Sequence, residues 1–63
     1  MKLEYILRIL FDLTSKRIVS SNYLCEKYGI SKRSVYRYID CLDAAGVPIY
    51  TVRGKGGGFA VVD

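Results

Sequence analysis

Between Tyr28 and Arg37 the chain reads Tyr-Gly-Ile-Ser-Lys-Arg-Ser-Val-Tyr-Arg, a stretch that fixes the end of one helix and the start of the next. Gly29 supplies the left-handed backbone conformation that closes a helix, and Ile30 can fold back over that end as an apolar plug. Ser31 then offers a hydroxyl to cap the backbone donors of a following helix. That helix opens on Lys32 and Arg33, adds Arg37, and carries Asp40 and Asp43 late. A helix macrodipole favours the opposite order, by about 0.3–1 kcal/mol for each exposed charge. A helix charged against its own dipole points to a polyanionic partner.

With 63 residues the chain makes one small domain, burying roughly 60% of the surface its unfolded form exposes. Ten basic residues against six acidic ones give a net charge of +4. That excess is modest, so the position of the charges carries more information than their sum. No apolar run is long enough to cross a membrane, and Glu4, Arg8 and Asp12 interrupt the first apolar stretch in a way no signal peptide does. The expectation is a cytoplasmic protein with no membrane partner. Cys25 and Cys41 stand far apart and there is no histidine, so no zinc pattern exists and neither metal nor cofactor is expected. Both cysteines are expected to be reduced, small core residues.

Leu3, Ile6, Leu7, Leu10, Leu13 and Thr14 recur at helical spacing, with Glu4, Arg8 and Asp12 on the opposite face, and predict a first helix over 2–15. Tyr5, Ile9 and Phe11 widen its apolar sector beyond the roughly 100° stripe of an ordinary surface helix. Either a dimer or inter-domain contact covers that excess, or a domain this small leaves it exposed as ordinary apolar surface. After a polar break at Ser15-Lys16-Arg17 and an extended Ile18-Val19, a capping serine at 20 or 21 predicts a second helix over 20–28. The third helix, 31–45, gathers Val35, Tyr38, Ile39 and Leu42 on one face and leaves Arg33, Tyr36, Arg37 and Asp40 opposite. Gly46 stops it, and Val47-Pro48 forces an extended continuation.

Beyond Pro48 the composition turns to β-formers. Ile49-Tyr50-Thr51-Val52 and Phe59-Ala60-Val61-Val62 predict strands over 49–53 and 58–62, joined by the glycine-rich, basic tip Arg53-Gly54-Lys55-Gly56-Gly57-Gly58. A short helix, a turn with glycine and a longer helix form a helix-turn-helix, whose second member places its N-terminal residues against base edges in the major groove. The basic hairpin tip supplies a second cationic element, matching the wing of a winged helix. The fold class is therefore small α+β: a three-helix core followed by a two-stranded wing.

From Leu3 to Val62 the chain resembles the DeoR-type winged helix-turn-helix at the N-terminus of bacterial transcription regulators, particularly those with a C-terminal WYL sensor domain. The stretches that carry the resemblance are YGISKRSVYRYIDCLDAAGVPIY and GKGGGFAV. It implies double-stranded DNA as partner, with Ser31, Lys32, Arg33, Ser34, Tyr36 and Arg37 along the duplex and Arg53 and Lys55 on the wing. Among these, Arg33, Tyr36 and Arg37 are the candidates for base contact and Lys32 for phosphate. It also implies a longer regulator that dimerises and binds any effector through a further C-terminal domain. Two positions depart from the family pattern. Tyr38 replaces the usual acidic residue after the arginine, which puts an orienting partner for Arg37 in doubt, and Cys25 replaces a small alanine without functional consequence.

An enzyme is not expected: the acids Glu4, Asp12, Glu26, Asp40, Asp43 and Asp63 are scattered, and no serine or cysteine has a base at catalytic spacing. The glycine-rich stretch is no phosphate-binding P-loop, because Lys55 is followed by glycine and a strand rather than by Ser or Thr opening a helix. The competing function is an interaction or dimerisation module working through the apolar face of the first helix.

Overall fold

The computed structural model describes residues 3–62, as α1 Leu3–Ser15, α2 Ser21–Tyr28, α3 Lys32–Ala44, β1 Ile49–Val52 and β2 Gly58–Val61. Position 2 of the expected first helix and Asp63 lie outside the described residues. Ser20, Ser31 and Ala45 are caps rather than helical residues, each the half-in position at which intrahelical bonding begins or ends. Arg53 and Val62 fall just past their strands, because the antiparallel ladder runs only from Ile49↔Val61 to Val52↔Gly58.

The hairpin does not stand alone. The Val19 N–H donates to the Phe59 carbonyl at 2.9 Å and the Phe59 N–H donates back to the Val19 carbonyl at 2.8 Å, so the extended residue before α2 is stitched to β2. Gly58 makes this approach possible. A Cβ there would collide with the Val19 carbonyl oxygen and sit 2.7 Å from the Ser20 Cα. Three helices and a two-stranded hairpin in this order make a small α+β winged helix.

Helix α3 is the centre of the packing, touching α1, α2 and β1, while α1 also meets β2. The core consists of Ile9, Leu13, Val19, Leu24, Val35, Tyr38, Ile39, Leu42, Phe59 and Ala60. Burying each large aliphatic side chain contributes about 1.5–3 kcal/mol. The faces of α3 separate as the spacing predicts: Val35, Tyr38, Ile39 and Leu42 are buried, and Arg33, Tyr36, Arg37 and Asp40 are exposed.

Two expectations are corrected. Helix α1 is turned by roughly 100°, one residue's step, from the face its leucines suggest. Ile9, Asp12 and Leu13 are its buried residues, whereas Leu3, Leu7 and Phe11 are 70%, 56% and 71% exposed. The physical reason is tertiary. Asp12 is drawn inward by two partners on α2, and Tyr5 sits between the rings of Tyr28 and Tyr38, with centroids at 5.9 and 6.2 Å. Nor are the cysteines core residues: Cys25 is half-buried, because Leu24 beside it takes the core position, and Cys41 is exposed at the edge of the α3 apolar face.

Candidate nucleic-acid interface

The turn between α2 and α3 is built from backbone rules. Gly29 adopts φ 64° and ψ 38°, and its N–H and that of Ile30 both turn back to the Cys25 carbonyl, closing α2. A side chain at that φ would be strained. Ser31 then starts α3: its Oγ accepts the Ser34 N–H at 3.1 Å, and the two hydroxyls lie 3.2 Å apart. Ser31 is exposed and Ser34 half-buried. Both candidate serines thus organise the first turn of α3.

On that scaffold Lys32, Arg33, Tyr36 and Arg37 all point outward. Arg53 and Lys55 are exposed on the hairpin tip. None of these five cations makes an ion pair among the described residues, so each keeps its charge for an external partner. Tyr38, at the position that departs from the family pattern, is buried against Tyr5. It serves the core, one residue's rotation away from Arg37.

The helix and the tip flank one cleft of about 650 Å³. Tyr36, Ile39 and Asp40 bound it from α3, and Thr51, Val52, Gly54 and Gly56 through Phe59 bound it from the hairpin. Ser20, Ser21 and Asn22 at the start of α2 line it as well, a contribution the sequence reading missed. Their polar run beside a helix start is the signal that could have found them. Tyr36 is 49% exposed, and its ring meets that of Phe59 edge-on, at 5.8 Å between centroids and 80° between planes.

Behind this surface, α2 is pinned to α1 by a buried acid. The Lys27 ammonium donates to the Asp12 Oδ1 and Oδ2 at 2.8 and 3.1 Å, and the Tyr28 hydroxyl donates to Oδ2 at 2.6 Å. Burial alone would raise the Asp12 pKa, but the hydrogen bonds from Lys27 and Tyr28 outweigh it and hold the carboxyl below its ordinary value. Its hydrogen bond to Asp12 raises Lys27, while burial and then its own hydroxyl bond to Asp12 raise Tyr28. Because Tyr28 directly precedes Gly29, this knot fixes the end of α2 from which α3 departs.

Among the described residues no group of three or more His, Cys, Asp or Glu is placed to hold a metal, and no helix is long and apolar enough to cross a membrane. No solved structure matches the chain. YobV, an uncharacterized HTH-type transcriptional regulator of Bacillus subtilis (strain 168), is 40% identical over 63 residues; all of this chain is covered, but only 20% of that protein. A family described as an HTH domain matches residues 2–59. With helix, turn, helix and wing all in place, the chain belongs to the helix-turn-helix (HTH) domain family.

Proposed function

We propose that this domain is the double-stranded DNA-binding part of a transcription regulator, not an enzyme, and that it recognises specific sequence. Helix α3 enters the major groove, which at about 12 Å is wide enough for an α-helix, and the wing lies on the flanking backbone or minor groove. The observation that carries the proposal is two exposed cationic elements, Lys32, Arg33 and Arg37 on α3 and Arg53 and Lys55 on the hairpin tip, none of them in an ion pair among the described residues and none lining the cleft between the two elements. Arg33, Tyr36 and Arg37 are assigned to base edges and Lys32 to phosphate. Ser31 and Ser34 approach the backbone at the first turn of α3, and Arg53 and Lys55 hold the flanking DNA. The HTH family and the regulator named above support this reading.

In a longer DeoR-like regulator with a WYL sensor, working in the bacterial cytoplasm, two copies would bind half-sites about one DNA turn apart. Homodimerisation and any effector binding are assigned there to a further C-terminal domain. A second reading draws on the exposed α1 ridge of Leu3, Leu7 and Phe11. In it the domain is a protein-interaction or dimerisation module, and its contacts are apolar.

The two readings part on salt. If about four phosphates are neutralised by the five cations, log K for a duplex falls against log salt with a slope of about −4, at roughly −0.9 per phosphate. Binding measured by fluorescence anisotropy across a salt series checks this. An affinity that does not change with salt would contradict the DNA reading.

A further inference from the structure

Beyond one turn bond, from the Gly57 N–H to the Gly54 carbonyl at 3.0 Å, the hairpin tip has little of its own to hold it in place. Arg53 through Gly56 are exposed, and the cleft of about 650 Å³ keeps Gly54 and Gly56 apart from Ile39 and Asp40. The orientation of the tip must therefore be set at its root. There Phe59 is the shared residue: it lies opposite Thr51 in the ladder, exchanges two backbone hydrogen bonds with Val19, and is buried. The two backbone bonds, with the contacts of β2 to α1 and of β1 to α3, hold the root of the hairpin. On the cleft side, the Tyr36 ring, edge-on to Phe59, is the contact between the outer face of α3 and that root.

The geometry points to Tyr36 as a positioning residue that couples α3 to the wing, so that Arg53 and Lys55 reach the DNA only while the Tyr36 ring rests on Phe59. This rests on the DNA-binding reading above and deepens it. Tyr36 lies between Arg33 and Arg37 on the outer face of α3. One residue thereby sets the wing from within the face assigned to the bases. Its hydroxyl takes no part in the ring contact, and phenylalanine at this position preserves the coupling.

The test uses the full 63-residue chain and a mixed-sequence duplex of about 20 base pairs as probe. Tyr36→Ala and Tyr36→Phe are each measured across a salt series, alone and together with Arg53→Gln and Lys55→Gln. In the unmodified chain the slope is about −4; in Tyr36→Ala it becomes shallower by about 1 to 2, although no cation has been removed. Tyr36→Phe keeps the original slope. In the Arg53→Gln/Lys55→Gln background, Tyr36→Ala changes the slope no further, as expected of two changes acting through one contact. Weaker binding of Tyr36→Ala at an unchanged slope would overturn the coupling, leaving Tyr36 as a direct contact only. A flat slope in the unmodified chain would instead count against the DNA reading. The coupling is then decided without DNA, by amide ¹⁵N relaxation of the free chain. Tyr36→Ala is expected to lower the order parameters of Gly54 through Gly57 while leaving those of α3 unchanged, and equal tip order in both chains would overturn it.

Discussion

Replacing Arg33 and Arg37 together with alanine is expected to weaken duplex binding by about a hundredfold or more while leaving the fold intact. Both side chains are exposed and neither makes an ion pair among the described residues. Surface substitutions of that kind usually change stability by no more than about 0.5 kcal/mol. Against DNA the loss is large, because a bidentate arginine on a base edge contributes about 1–3 kcal/mol of discrimination and each lost phosphate contact also removes counterion release. Specific and non-specific duplexes should be compared side by side, since removing base contacts narrows the gap between them. Thermal melts of the variant close the test. A melting temperature many degrees lower would mean that the outer face of α3 is structural.

Asp12→Ala is expected to do the reverse, lowering stability by about 2–3 kcal/mol. It removes a carboxylate that accepts three charge-assisted or hydroxyl hydrogen bonds and strands the half-buried Tyr28 hydroxyl, and losing such partners costs about 1–3 kcal/mol for each buried group. For a domain of this size the melting temperature falls by roughly 10–20 °C. The same knot sets a pH dependence. A carboxyl whose folded pKa is below its ordinary value stabilises the fold fully above the unfolded value of about 4. That stability fades as pH falls through the lower, folded value. Asp12→Asn lacks this titration, so its deficit against the unmodified chain should shrink between about pH 5 and pH 2. Tyr28 acts at the other end: its pKa is raised, so the stability it contributes is complete below about pH 10 and is lost as pH rises through the folded value. Chemical denaturation at a series of pH values measures both edges. A deficit of Asp12→Asn that stays constant from pH 5 to pH 2 would contradict the role given to Asp12.

How far these features could be read from the sequence follows the range of the forces that make them. Gly29, Ser31 and Gly46 act within a few residues of themselves, and so the turn, the start of α3 and its end were legible. The two faces of α3 were legible because Val35, Tyr38, Ile39 and Leu42 are its only closely spaced apolar set. Helix α1 was not. Eight of the eleven positions from Leu3 to Leu13 are apolar, so more than one face satisfies the same periodicity, and the choice falls to Tyr5 between two other rings and to Asp12 meeting Lys27 and Tyr28. For the candidate interface, the cations were legible as charges, whereas the cleft between α3 and the wing, with Ser21 and Asn22 on its edge, exists only because β2 pairs with Val19. That pairing joins segments far apart in the chain, and local patterning carries no trace of it.

Amide chemical-shift mapping of the chain with a short duplex in low salt tests the central claim most directly. The largest shifts are expected from Lys32 through Arg37 on α3 and from Arg53 through Gly57 on the hairpin tip, with Leu3, Leu7 and Phe11 unmoved. Shifts confined to α1, or none at all, would contradict the assignment of α3 and the wing to DNA.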